Sequence, residues 1–186
     1  MSNATLSPIF IADSLADLSV LPDSTEWLAL ASKDEPKVID CLLESLEGRE
    51  AALASIPAAD YDVTSRLFQA AVQKALQSSS VSHILLVDTS RYEQGLPTES
   101  EEVLPEKAGD VANRLMAGAV SQSACNQTSQ QRFKHEVKQF LESPSIKPLW
   151  DDRSIAVCGL LYRQCDGLFL LFDPDSDKYT PLASTF

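Results

Sequence analysis

The run His83-Ile84-Leu85-Leu86-Val87 carries four apolar residues in succession, and no other feature constrains the fold as much. A strand open to water on one face alternates apolar with polar side chains, so a continuous apolar strand must be covered on both faces. Such strands belong to parallel sheets flanked by helices. Two earlier segments, Pro8-Ile9-Phe10-Ile11-Ala12 and Trp27-Leu28-Ala29-Leu30-Ala31, read as further strands. Asp34-Glu35-Pro36 reads as a helix start, with proline where its missing N–H costs nothing. Val38, Ile39, Leu42, Leu43 and Leu46 follow at helical spacing, and Gly48 is the expected stop. Residues 50–60 are ambiguous. Asp62 is the expected cap of a helix over about 63–77, whose stripe is Leu67, Phe68, Ala71, Val72, Ala75 and Leu76.

Beyond the central run, Tyr92 to Lys107 is polar and reads as a surface loop. Helices are predicted over about 109–121 and 128–142, the second with Phe133, Val137, Phe140 and Leu141 on one face. Ser154–Arg163 and Leu168–Phe172 read as strands joined by the turn Cys165-Asp166-Gly167, with glycine where positive φ is needed. The prediction is an α/β fold: a mainly parallel sheet flanked by helices, ending in an antiparallel C-terminal hairpin. At 186 residues the chain fits a single domain spanning 1–186.

Charge narrows the partners. The net charge of -12 repels phosphate backbones and anionic lipids, which argues against nucleic acid and membrane as partners. No run of about 18 apolar residues is present. Asp13 interrupts the N-terminal apolar stretch, which has no basic lead-in, so no signal peptide is expected. Cys41, Cys125, Cys158 and Cys165 form no CxxC or CxH pair and read as scattered thiols of a reducing compartment, which makes the expected location the cytoplasm. Asp173, Asp175 and Asp177 alternate as in a calcium loop but lack its glycine and closing glutamate, so an acidic turn is expected.

Three segments resemble the β-carbonic anhydrases. That family has a strand running into a CxDSR motif, and here a strand runs into Ile11-Ala12-Asp13-Ser14-Leu15. It then has a helix feeding a strand that ends in HxxC; here the strand from Ser82 to Val87 is followed by Asp88-Thr89-Ser90-Arg91. It closes with a helix, a Ser-Pro break and a hairpin. Here those are Phe140 to Pro144, then Val157-Cys158-Gly159-Leu160-Leu161-Tyr162-Arg163 and Asp166-Gly167-Leu168. Residues 33–60 read as a helical insertion relative to the family.

The resemblance implies a zinc site built from two cysteines and a histidine, with an Asp–Arg pair orienting the metal-bound water. Carried over by position, the ligands fall on Ile11, Asp88 and Arg91, while Asp13 keeps its place and Leu15 stands for its arginine partner. Isoleucine cannot ligate, and a guanidinium stays protonated. No zinc or other cofactor is therefore expected, and no catalytic residue is assigned. Of the two histidines, His83 reads as a packed strand-end residue and His135 as solvated. The candidate pocket is Ile11, Asp13, Ser14, Asp88 and Arg91. Two readings of it stand: Arg91 pairs with Asp13, Asp88 or both as a guanidinium–carboxylate centre, or Arg91 faces solvent and apolar side chains fill the space.

Three functions follow. The first is a carbonic anhydrase-like pseudoenzyme without zinc, a binding, structural or regulatory protein associating with itself as a homo-oligomer or with a related protein. The second is an enzyme of metal-independent chemistry using Asp13, Asp88 and Arg91 on a small anionic molecule. Residual carbonate dehydratase activity is the third.

Overall fold

A computed structural model describes residues 9–34, 36–90, 128–164 and 167–182. The chain runs β1 (Phe10–Ala12), a short 3-10 helix (Ala16–Val20), β2 (Trp27–Ser32), α1 (Pro36–Leu46), β3 (Ala51–Ile56), α2 (Arg66–Ser78) and β4 (His83–Ser90). It continues with α3 (128–141), then α4 (Lys147–Asp151), β5 (Ala156–Arg163), β6 (Leu168–Asp173) and β7 (Lys178–Leu182). All seven strands join one sheet in the order β1-β3-β2-β4-β5-β6-β7. The first five in that order are parallel to their neighbours, and β5, β6 and β7 pair antiparallel. This is the α/β architecture that the continuous apolar run of β4 demands. Among the described residues no helix is long and apolar enough to cross a membrane.

The pleat sorts side chains into two cores. One contains Leu28, Leu30, Ile84, Leu86, Val157 and Leu161 beneath Phe68 and Val72 of α2 and Phe133, Val137 and Phe140 of α3. The other contains Ala29, Ala31, Leu53, Val87 and Leu160 beneath Val38, Leu42 and Leu46 of α1. Helices thus cover both faces. The predicted stripe of α3 is buried throughout. That of α2 buries Phe68, Val72 and Ala75 but leaves Leu67 79% exposed, because Leu67 lies beside the stripe.

Several local expectations differ from the structure. Residues 33–60 are not helical throughout but hold α1 followed by β3, a parallel crossover that places β3 between β1 and β2. Ala51-Ala52-Leu53-Ala54-Ser55-Ile56 hides its strand because alanine is a helix former. Burial on both faces overrides that propensity, and every residue of β3 is buried. The cap of α2 is Ser65, whose side chain accepts from the Phe68 N–H at 3.2 Å, not Asp62. Asp62 instead closes a tight turn just ahead, accepting from the backbone N–H of Thr64 at 2.9 Å and from its hydroxyl at 2.6 Å. Neither α4 nor the exposed edge strand β7 was signalled by periodicity. The predicted helix over 109–121 and the polar loop before it lie outside the described residues, as do Cys165 and Asp166 of the hairpin turn. Gly167 closes that turn with φ at +70°.

Two devices hold α3 on the sheet. At Gly159 the helix approaches so closely that an added Cβ would lie 2.8 Å from a ring carbon of Phe133 and 3.2 Å from a methyl of Val137. In the acidic turn after β6, Asp177 takes Lys134 at 2.6 Å and Lys138 at 2.7 Å, so that turn serves as a clamp on α3. Gly159→Ala forces Phe133 out of a fully packed core. It should cost about 1–3 kcal/mol of stability by denaturant unfolding, the usual range for overpacking.

Candidate functional site

The site begins where the β2–β4 ladder stops. These strands pair from Trp27 opposite His83 to Leu30 opposite Leu86, yet β2 continues to Ser32 and β4 to Ser90. The Tyr61 hydroxyl occupies the parting. It accepts from the Val87 N–H at 3.2 Å and has the carbonyl oxygens of Val87 at 2.6 Å and Leu30 at 3.0 Å within donating reach. One phenol thus satisfies backbone groups of both strands at the point where they cease to satisfy each other. Burial is the main reason that its pKa is pushed far up, with the negative charge of Asp88 adding to it.

Topology makes this parting a crevice. From β2 the chain turns to β3 on one flank, and from β4 it goes on to β5 on the other. The two strands whose onward connections diverge leave a gap at their carboxyl ends, which is where open α/β sheets bind ligands. The gap here is a cavity of about 330 Å³ lined by Ser32, Ala58, Tyr61, Asp62, Val63, Asp88, Arg132 and Glu136.

Strand alternation determines which side chains reach it. Ser32 follows Leu28 and Leu30, and Asp88 follows Ile84 and Leu86, so both emerge on the face covered by α2 and α3. From α3, Arg132 and Glu136 stand one turn apart. Arg132 reaches Asp88 at 2.9 Å through one terminal nitrogen and Glu136 at 3.5 Å through Nε. One guanidinium therefore serves two carboxylates. Burial, then the charge of Asp88, raises the pKa of Glu136 above the ordinary glutamate value, and Arg132 only partly offsets them. Asp62 at the rim is held ionised below the usual range by the Thr64 hydroxyl.

The expected site residues are only partly gathered here. Asp88 lines the cavity. Ile11 lies on the edge strand β1, 53% exposed, with β3 and β2 between it and β4. Asp13 is paired with Lys33 at 3.1 Å in the open. Asp13 and Ser14 both bond Asp17, shaping the turn into the 3-10 helix. Zinc ligands must sit within a few ångströms of one another, and a first strand separated from β4 by two others cannot meet that. The strand beside β4 is β2, and it runs out through Ser32-Lys33-Asp34-Glu35-Pro36, which matches CxDSR in its aspartate alone. Ser32 is thus the residue that faces Asp88 across the crevice. Arg91 lies outside the described residues. Among the described residues Asp88 pairs with Arg132, which the sequence signals only through its i, i+4 spacing with Glu136 beside the apolar stripe. His83 stacks on Trp27 at 4.2 Å at the far end of β4 from the cavity, with Ser82 bonded to its ring, and His135 is exposed.

These donors do not fit the zinc site that the resemblance implies. Among the described residues the cavity offers a hydroxyl, a phenol, carboxylates and a guanidinium, with no thiolate or imidazole, and the guanidinium brings a fixed positive charge. Among the described residues no group of three or more His, Cys, Asp or Glu side chains could hold a metal ion.

The sequence matches no protein-family model and no curated protein. Its fold has solved counterparts. The β-carbonic anhydrase CcaA superposes with a TM-score of 0.51 at 17% identity, covering 90% of this chain and 88% of that one. A Coccomyxa β-carbonic anhydrase in complex with acetazolamide gives 0.52 at 16% identity over 86% and 74% of the two chains. The β-carbonic anhydrase CafA of Aspergillus fumigatus gives 0.52 at 14% identity over 86% and 80%. At these identities the likeness is one of fold, and the chain has the β-carbonic anhydrase fold.

Two substitutions test the geometry. Tyr61→Phe leaves buried backbone groups of Leu30 and Val87 without their partner and should cost about 1–3 kcal/mol of stability. Because the folded state holds the Glu136 proton more tightly than the unfolded chain, stability is greatest below the ordinary glutamate value and falls as pH rises through the raised one. Glu136→Gln removes that loss. Its unfolding midpoint should exceed that of the native protein at pH 7, and the difference should close toward pH 4.

Proposed function

We propose that this chain is a zinc-independent binding protein on the β-carbonic anhydrase fold, with the crevice between β2 and β4 as its binding site. The observation that carries this reading is Arg132 bridging Asp88 and Glu136 where a metal centre would require thiolate and imidazole donors. A side chain supplies the positive charge there, and it cannot activate water as a hydroxide-bearing metal does. Binding without hydration chemistry is the function that such a centre supports.

The reading treats residues 1–186 as one domain and the cytoplasm as its location. Self-association or association with a related protein belongs to it as well, since among the described residues β1 and β7 have no strand on their outer sides. The alternative, metal-independent catalysis on a small anion through Asp13, Asp88 and Arg91, is disfavoured by the outward pairing of Asp13 with Lys33 and by the acidic lining of the crevice.

Elemental analysis of purified protein, together with a CO2 hydration assay, tests the proposal. The expected outcome is zinc far below one equivalent, even after incubation with the metal, and no hydration above the uncatalysed rate. Stoichiometric zinc accompanied by hydration would refute it.

A further inference from the structure

We infer that the crevice between β2 and β4 receives a small organic cation, an alkylammonium or alkylguanidinium group, with Asp88 and Glu136 as its counter-ions and Arg132 as a tethered competitor for them. The inference rests on reading the crevice as a binding site and names the class of ligand.

The first argument is charge. Among the described residues three carboxylates, Asp62, Asp88 and Glu136, and one guanidinium, Arg132, line a cavity of about 330 Å³. With all four ionised this described lining is negative by two, inside a chain whose net charge is already -12. An anion entering it would be repelled at short range by the wall and at long range by the whole surface. A cation is attracted by both.

The second argument is shape. The carboxylates surround the cavity without converging on a point where a metal ion could take three of them. Spread acceptors around an open volume suit an extended group with several N–H donors, as on a guanidinium or ammonium. Ala58 and Val63 supply an apolar wall against which an alkyl stem can lie.

The third argument is that the chain already places such a group there. The Arg132 guanidinium approaches Asp88 at 2.9 Å but Glu136 only at 3.5 Å, with Arg132 half-exposed. Glu136 is the carboxylate less closely paired, and burial, then the charge of Asp88, raises its pKa. A ligand cation beside Glu136 supplies the missing charge, and one that displaces Arg132 takes Asp88 too. The site lies outside the carboxyl ends of diverging parallel strands, a location independent of charge that favours ligand binding.

Binding should depend on pH through Glu136. Facing it are Asp88 from β4, Asp62 from the turn before α2, and Arg132 on its own helix, with Tyr179 of β7 and Tyr61 close enough to feel its charge. Both phenols remain protonated near neutrality. Protonating Glu136 removes one counter-ion, so affinity falls as the pH drops through its raised value.

The test titrates the full chain with n-butylammonium and with methylguanidinium, using acetate and bicarbonate as anionic probes. Backbone amide shifts of Ser32, Val63 and Glu136 are followed at pH 7.5 and pH 5. Both cations should shift these amides, more weakly at pH 5, while the anions leave them unmoved. Glu136→Gln, which keeps the Arg132–Asp88 pair and the shape, should weaken cation binding about tenfold, whereas Arg132→Gln should tighten it by a similar factor. Shifts produced by the anions and not the cations would overturn the inference while leaving the crevice a binding site. Weaker cation binding in Arg132→Gln would also overturn it. If no probe moves these amides, both the inference and the binding reading fall.

Discussion

The arrangement of the whole crevice depends on one phenol between two strands. Parallel strands end their ladder at a cost, because backbone groups beyond the last pair must find other partners. At β2 and β4 the Tyr61 hydroxyl supplies them, touching Leu30 and Val87 together. This lets the strands part while those backbone groups stay hydrogen-bonded. Ser32 and Asp88 then stand apart across a cavity instead of meeting in another rung. The ring of Tyr61 meets Phe68 edge-on at 5.5 Å, and Phe68 meets Phe140 in turn at 6.4 Å. The wedge is therefore anchored to both helices that roof this face.

The position of α3 transmits that constraint to the charged groups. Arg132 and Glu136 flank the buried Phe133 and Val137, so their reach into the crevice is set by how deeply those two side chains sit. The depth is set by Gly159, which leaves no Cβ beneath the ring. The acidic turn holds the solvent side of the helix through Asp177. A long arginine normally loses considerable entropy when fixed. Here its helix is already fixed by packing, which reduces what the ion pair itself must hold.

Much of the fold could be read in the sequence because its strongest signals were local. The continuous apolar run of β4, the stripes of α1 and α3 and the glycine of the hairpin turn each report a structure that nearby residues determine. β3 was hidden because Ala51, Ala52 and Ala54 carry no strand signature; only coverage on both faces makes that segment a strand. The site assignment went astray on a short motif. Asp13-Ser14 matched the centre of CxDSR and so placed Ile11 with Asp88, whereas sheet order puts Ser32 there. Asp88 was legible because it directly follows the clearest strand. Arg132 was not, because its partner lies 44 residues away and the pairing exists only in three dimensions.

A guanidinium and a divalent metal impose opposite conditions on a pocket. A metal is held by several convergent donors and can leave, so its site is defined by ligand geometry and remains open to water. Arg132 carries a single permanent charge on a stem belonging to the fold, and its donors fan outward in a plane rather than drawing ligands inward. One such charge cannot balance two nearby carboxylates, and the imbalance falls on Glu136, the less closely paired of them. The negative character of the crevice thus follows from the count of charges among the described residues once the positive centre is a side chain. It is this residual charge, more than the shape of the cavity, that selects the sign of whatever enters it.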